Sequence, residues 1–166
     1  GIKQYGVSKE NRPNPIVQMG LFLDGDGIPL AFNINPGNTN EQITLQPLEK
    51  QIINDLNNAS FVVCTDAGLA SNANRKFNDK ENRKFITTQS IKKLKDYLKE
   101  WMFDKTGWHI LSIPNPIDLS NLDNDEELQE KFKDTVFYKE RWINENGLEQ
   151  KIIITYSLKY KNYQKN

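Results

Sequence analysis

The most informative part of the sequence is the apolar run Phe61-Val62-Val63-Cys64-Thr65, which is followed directly by Asp66-Ala67-Gly68. A short, continuous run of this kind predicts a strand buried on both faces, as found in the middle of an α/β sheet. On this interpretation Cys64 is a small buried side chain rather than a nucleophile. The run therefore predicts an α/β fold in which a central strand ends at Asp66.

Asp66 is the residue in this stretch that could carry chemistry. Ligands of α/β sheets bind at the carboxyl ends of strands, and a carboxylate in that place can hold Mg²⁺, which prefers oxygen ligands. The same position also suits an Asp whose side chain caps the helix that follows. The residues alone therefore leave two roles open for Asp66, metal ligand and helix cap.

On the amino-terminal side, the sequence predicts an antiparallel hairpin. Residues 16–23 and 28–34 are apolar and strand-like, and Asp24-Gly25-Asp26-Gly27 between them is typical of a turn. The turn also imitates the start of a calcium-binding loop, but the twelfth place, where such a loop needs Glu, is Asn35. The hairpin turn is therefore the better interpretation.

Helix and strand signals alternate through the rest of the first half. Residues 39–57 predict a helix that Thr39 and Gln42 would open as a capping box. Residues 69–77 predict a second helix, and residues 84–87 predict another short strand. The predicted order of elements is therefore β-β-α-β-α-β.

The second half of the chain has a different pattern of residues. We therefore place a boundary after Gln89, which gives regions 1–89 and 90–166. Residues 91–103 alternate Lys with Ile, Leu, Tyr and Trp at helical spacing, and residues 118–134 are acidic and helical or loop-like. The pattern of this half therefore predicts a separate α+β region.

A second hairpin is expected near the end of the chain. Residues 136–143 and 150–158 are rich in β-forming residues, and they flank Asn144-Glu145-Asn146-Gly147. Asn-Gly between two such runs is a good signal for a hairpin turn. The second region therefore combines a helix with a β-hairpin.

The composition excludes several classes of protein. The chain has 166 residues with one Cys, one His, 22 Lys+Arg and 22 Asp+Glu, so its formal charge is zero. A single Cys excludes a disulfide framework, and a single His excludes a site that needs two imidazoles. No apolar run approaches the roughly 20 residues of a membrane span, so we expect a cytoplasmic protein. Zero net charge gives no support for nucleic-acid binding by the chain as a whole.

Two local groups of basic residues nevertheless suit contacts with DNA phosphates. Lys9 and Arg12 lie in a small basic loop, and Lys92 and Lys93 open a lysine-rich stretch that also contains Tyr97. Each group has an ordinary alternative: the first suits a solvated loop, and the second suits an amphipathic surface helix. Both pairs are candidate DNA-binding residues.

The order and spacing of four segments resemble the DDE transposases of bacterial insertion sequences. The resemblance runs from about Tyr5 to Leu94, and less specifically through residues 155–164. Short pieces such as Pro-Gly-Asn are common alone, so the specificity lies in their order. The four segments are Tyr5-Gly6-Val7-Ser8-Lys9-Glu10-Asn11-Arg12-Pro13, Gly27-Ile28-Pro29-Leu30-Ala31, Pro36-Gly37-Asn38-Thr39 and Val62-Val63-Cys64-Thr65-Asp66-Ala67-Gly68.

The resemblance implies an RNase H-like fold in which three acidic residues hold two divalent metal ions, Mg²⁺ or Mn²⁺. Such a pair of ions would stabilise the attacking and leaving oxygens of an in-line phosphoryl transfer. Asp66 matches the second acidic residue of the triad, which makes it the expected catalytic residue and metal ligand. The order β-β-α-β-α-β would then be a partial RNase H-like mixed sheet without its first strand, followed by an α+β insertion region.

The other two acidic residues of the triad have no convincing match in this chain. The first should precede Tyr5, where Gly1-Ile2-Lys3-Gln4 contains no acid. The third is a Glu in the signature Tyr-x2-Arg-x3-Glu-x6-Lys, and Tyr138, Arg141 and Glu145 match its first three places. That signature needs a helix, whereas Asn-Gly directly after Glu145 predicts a turn, so we reject Glu145.

The resulting expectation is a fragment of a DNA transposase, inactive alone, whose parent protein cleaves and joins transposon ends and acts as a dimer on paired ends. A second hypothesis is a non-catalytic nucleic-acid-binding or domesticated module on an RNase H-like fold. A third is an unrelated small-molecule binder, which the absence of a Gly-rich phosphate loop disfavours, because Gly37 and Gly68 are isolated.

Overall fold

A computed structural model describes residues 1–7, 13–57, 60–80 and 82–165 of the chain. The chain divides into two units, Gly1–Ser90 and Ile91–Asn166, and the expected boundary after Gln89 lies beside this division. The described residues form a mixed α/β structure with several sheets and five α-helices. None of the helices in the described ranges is long and apolar enough to cross a membrane.

The first unit opens with the predicted hairpin. Strand β1 (Val17–Leu23) pairs antiparallel with β2 (Pro29–Pro36), and Phe22 stands opposite Ala31. The Asp24 carboxylate accepts hydrogen bonds from the amides of Asp26 at 3.0 Å and Ile28 at 2.8 Å, which closes the turn. This carboxylate is therefore engaged in a turn, and the prediction of a hairpin is confirmed.

The helix predicted over residues 39–57 is divided into two pieces. A short 3-10 helix covers Glu41–Ile43, and helix α1 covers Leu45–Asp55. Asn40, and not Thr39, caps the first piece, because its side chain accepts from the amide of Gln42 at 3.0 Å. Helix α1 begins close to Pro47, whose missing N–H does no harm within the first helical turn.

Strand β3 (Phe61–Thr65), helix α2 (Asn72–Asn78) and strand β4 (Arg83–Thr87) complete the predicted order. The two strands run parallel, with Val63 opposite Phe85. Helix α2 begins three residues later than expected, because residues 66–71 form a loop and Ser71 caps the helix by accepting from the amide of Asn74 at 3.2 Å.

Only one face of each strand pair in the first unit is covered. Ala31 packs with Leu48 and Ile52 of α1, and burying a Leu or Ile side chain stabilises the fold by about 1.5–3 kcal/mol. Val63 is also buried, whereas Val62 and Cys64 are exposed. The prediction that β3 is buried on both faces is therefore wrong, because the described residues place helical packing on one side only.

The second unit is built on a four-stranded antiparallel sheet in the order β6-β5-β7-β8. A 3-10 turn at Ile91–Lys93 precedes helix α3, and two further helices flank the last strands. Asn146 and Gly147 have φ angles of 54° and 75°, so the turn of the predicted hairpin between β7 and β8 is confirmed. The bounds are α3 (Asp96–Phe103), β5 (Trp108–Ile110), β6 (Ile113–Ile117), α4 (Glu126–Lys131), β7 (Phe137–Glu145), β8 (Leu148–Tyr156) and α5 (Leu158–Lys165).

One face of this sheet encloses an aromatic core that includes a buried lysine. Phe137 is fully buried and packs with Trp108 and with Tyr156. The ammonium group of Lys139 donates to the carbonyl oxygens of Asp104 at 2.7 Å and Trp101 at 3.2 Å. It also lies 4.9 Å from the ring centroid of Trp108, and burial lowers the pKa of this lysine. The lysine therefore joins the loop after α3 to the sheet.

Candidate active site around Asp66

Asp66 directly follows β3 and lies beside the end of the neighbouring parallel strand. The Thr65 hydroxyl donates to the Thr87 hydroxyl at 3.0 Å, and the Thr87 hydroxyl donates to the backbone carbonyl of Asp66 at 3.2 Å. This chain of hydrogen bonds fixes the backbone of Asp66 to both strands. The carboxyl ends of parallel strands are where α/β sheets bind ligands.

The side chain of Asp66 is exposed and does not cap helix α2. Its Oδ1 atom accepts the amide of Gly68 at 2.9 Å, which forms a tight turn at the start of the loop. Ser71 takes the capping role, as described above. The helix-cap role that the sequence left open for Asp66 is therefore wrong, whereas its role as a metal ligand stays a prediction.

A second carboxylate, from Glu41, reaches the same loop. A β-carbon added to Gly68 would lie 3.0 Å from Oδ1 of Asp66 and 3.2 Å from Oε2 of Glu41. Gly68 therefore leaves open the space that the two carboxylates border. Sequence reasoning missed Glu41, and the available signal was its place two residues after the Pro36-Gly37-Asn38-Thr39 segment.

Gln42 holds the Asp66 loop to the 3-10 helix. Its side-chain amide donates to the carbonyl oxygen of Gly68, and its Oε1 atom accepts the amide of Ser71 at 2.9 Å. Asn74 adds two bonds from α2, to the carbonyl oxygens of Gln42 at 2.8 Å and Leu69 at 3.0 Å. Gln42 was expected in a capping box with Thr39. Its side chain instead fixes a loop 26 residues away in sequence.

The donor set around Asp66 fits a divalent cation in part. Two carboxylates border one open space, and carboxylate oxygens are the ligands that Mg²⁺ and Mn²⁺ prefer. Within the described ranges, however, no three Asp, Glu, His or Cys side chains are grouped closely enough to hold a metal ion. The described residues therefore offer part of a metal site and do not assemble a triad.

Two of the four candidate DNA-binding residues lie in the described part of the chain. Lys92 and Lys93 are exposed in the 3-10 helix that precedes α3, so the continuous helix expected over residues 91–103 is interrupted. Lys9 and Arg12 lie outside the described residues. The role of all four residues in DNA binding stays a prediction.

A partly exposed aromatic surface in the second unit was not predicted from the sequence. His109 of β5 stands opposite Tyr138 of β7, and their rings lie 5.8 Å apart. Trp142, also on β7, is exposed, and the ammonium group of Lys151 lies 5.3 Å from the ring centroid of Trp142. Stacking rings beside a cation are typical of surfaces that bind single-stranded nucleic acid.

Comparisons with known proteins add no further constraint, since no family model, no curated protein and no solved structure matches this chain.

Proposed function

We propose that this chain is part of a DNA transposase that cleaves and joins transposon ends by metal-assisted phosphoryl transfer, with Asp66 as one of the metal-holding carboxylates. The observation that carries the proposal is the position of Asp66, which is exposed at the carboxyl end of a parallel strand and lies beside the carboxylate of Glu41. The order of elements around it, and the four segments that resemble DDE transposases, support the same assignment.

The proposed fold is RNase H-like, with one further strand joining the pairs β1–β2 and β3–β4 into a single mixed sheet. Parallel strands occur almost only in sheets covered on both faces, yet Val62 and Ile86 are exposed on the parallel pair. The hairpin likewise exposes Met19 beside Ile34 and Leu21 beside Phe32. Apolar surface of this extent supports a place for the first unit within a larger layered structure.

In the proposed mechanism, the residues of this chain hold and orient one part of the catalytic centre. Asp66 and Glu41 would bind Mg²⁺ or Mn²⁺, which would stabilise negative charge on the attacking and leaving phosphate oxygens. Gln42, Thr65 and Thr87 fix the loop that carries Asp66, so the carboxylate keeps its position as charge develops. The remaining carboxylates would come from parts of the full-length protein outside residues 1–166, so we expect residues 1–166 alone to be inactive.

Cleavage by the full-length protein tests the proposal. Asp66→Asn keeps the shape of the side chain but removes its charge, so we expect metal-dependent cleavage of DNA bearing the ends of the parent element to fall at least about 100-fold, since even outer-shell partners of a metal contribute 10–100-fold. Asp55→Asn, an exposed acid at the end of α1, is the matched control and should retain activity. Retained cleavage by Asp66→Asn would contradict the proposal, as would strand transfer by residues 1–166 alone.

A second candidate function is a non-catalytic nucleic-acid-binding module, and the aromatic surface of His109, Tyr138, Trp142 and Lys151 favours it. Under this alternative Trp142→Ala would weaken DNA binding, while Asp66→Asn would change nothing that can be measured. Under the transposase proposal DNA is also the partner, and joining two ends of one element implies a dimer on paired ends. The effect of Asp66→Asn on cleavage therefore separates the two functions.

A further inference from the structure

Glu49 of α1 and Asn78 of α2 form a buried pair away from the Asp66 carboxylate. Glu49 is fully buried and Asn78 is 2% exposed. The side-chain amide of Asn78 donates to Oε1 of Glu49 at 2.8 Å and to the carbonyl oxygen of Asn74 at 3.3 Å. Both amide hydrogens of Asn78 are therefore used, and the orientation of the amide group is fixed.

Each member of the pair retains a buried oxygen without a partner. Among the described residues, neither Oε2 of Glu49 nor Oδ1 of Asn78 receives a hydrogen bond. A buried acceptor without a donor is costly, and an ionised carboxylate brings no donor of its own. A single proton on the carboxyl group would supply the missing donor, and an amide facing a carboxylic acid can form two bonds in opposite directions.

We propose that Glu49 is the neutral carboxylic acid in the folded first unit, that its Oε2–H group donates to Oδ1 of Asn78, and that this pair is a pH-sensitive clamp between α1 and α2. The evidence for the clamp does not depend on the proposed catalytic function. The clamp would nevertheless affect the Asp66 loop. Asn74, one turn before Asn78, donates to the carbonyl oxygens of Gln42 and Leu69 and so holds that loop.

The electrostatic surroundings of Glu49 favour the neutral form. Burial raises the pKa of Glu49 to about 7, and the hydrogen bond from Asn78 and the charge of Arg83 only partly oppose this. Strands β1 and β2, which also pack on α1, carry no charged residue, and the 3-10 helix contributes Glu41.

Several cations lie on the elements around the pair. Arg75 and Lys76 lie on α2. Arg83 donates to the carbonyl oxygen of Phe77 at 2.9 Å, and both Arg83 and Lys50 lie over the Phe77 ring. The hydrogen bond to Oε1 of Glu49 comes from the amide of Asn78, and Arg83 acts on the carboxyl group through its charge.

The direction of the pH effect follows from linkage. A carboxyl group whose pKa is higher in the folded state than in the unfolded state binds its proton more tightly when folded. Its contribution to stability is complete below the ordinary value of 4.5 and is lost as the pH rises to about 7. The first unit should therefore become less stable between these two values of pH.

The test compares residues 1–166 with the variant Glu49→Gln in urea unfolding at pH 5 and pH 8, followed by the NMR amide signals of α1. The Gln side chain supplies an N–H donor to Oδ1 of Asn78 at every pH. We expect the unfolding midpoint of the wild type to fall between pH 5 and pH 8, whereas the midpoint of Glu49→Gln stays constant and exceeds the wild type at pH 8. Identical pH dependence in both proteins would overturn the proposal.

Two controls make the result specific. Asp55→Asn changes an exposed acid at the end of the same helix and should keep the wild-type pH dependence. All three Trp residues belong to Ile91–Asn166, so their fluorescence follows the second unit separately. If Glu49→Gln does not fold, the infrared band of a protonated carboxyl group is measured in the wild type instead. A band that is present at pH 6 and is lost near pH 7 supports the clamp. The absence of this band at pH 6 overturns the clamp.

Discussion

At the scale of single residues, the sequence predicted the position of Asp66 but not the contacts of its side chain. The end of an apolar strand marked this carboxylate as a candidate ligand, and its place after β3 is as expected. The sequence left its capping role open, because a cap depends on the residue at which the next helix begins. Ser71 caps α2 instead, six residues after the strand. Glu41 was missed because its approach to Gly68 joins residues far apart in sequence.

Lys139 supports a prediction at the same scale. Lys139→Met keeps the length and the apolar stem of the side chain but removes the donor to the carbonyl oxygens of Asp104 and Trp101. Because these partly buried acceptors would lose their charged donor, we expect a loss of about 1–3 kcal/mol in the free energy of unfolding, measured by urea titration with Trp fluorescence.

Lys151→Met is the matched control for this lysine. Lys151 lies on the adjacent strand β8, and its ion pair with Glu140 at 2.9 Å is partly exposed to solvent. Exposed ion pairs contribute about 1 kcal/mol or less, so the control should change stability little. Equal losses in the two variants would show that the hydrogen bonds from Lys139 to the two carbonyl oxygens do not stabilise the unit.

At the scale of elements, local signals predicted most of the structure. The strands β3 and β4, both hairpins and the approximate places of α1 and α3 followed from periodicity and turn residues. Strand β6 escaped prediction because Pro114 and Pro116 argue against a strand, yet β6 lies at the edge of its sheet, where a missing N–H is tolerated. The strand with which a segment such as β6 pairs cannot be predicted from the sequence of that segment alone.

The turn between β7 and β8 provides the prediction for this scale. Gly147 has a positive φ of 75°, so Gly147→Ala should destabilise the second unit by about 1–2 kcal/mol in urea unfolding. Gly25→Ala, in the turn between β1 and β2, is the control, because a side chain there meets open space. A gain in stability for Gly147→Ala would instead indicate a helix around Glu145, as the rejected transposase signature requires.

At the scale of the whole molecule, the zero net charge of the 166 residues gave no support for nucleic-acid binding by the chain as a whole. The surfaces of the two units add information that this average does not contain. The first exposes apolar rows on both of its strand pairs, and the second presents Trp142 beside Lys151 on an exposed sheet surface. Average charge conceals such local surfaces, because it carries no information about which residues share a face.

The most direct test of the central claim is the metal dependence of DNA cleavage by the Asp66→Cys variant of the full-length protein. A thiolate binds softer metals better than Mg²⁺, so replacing a ligand should change which metal supports the reaction. We predict that Asp66→Cys cleaves transposon-end DNA poorly with Mg²⁺ and recovers activity with Mn²⁺, whereas Asp66→Asn recovers with neither. Full activity of Asp66→Cys with Mg²⁺, or a folded variant that stays inactive with both metals, would contradict the assignment of Asp66 as a metal ligand.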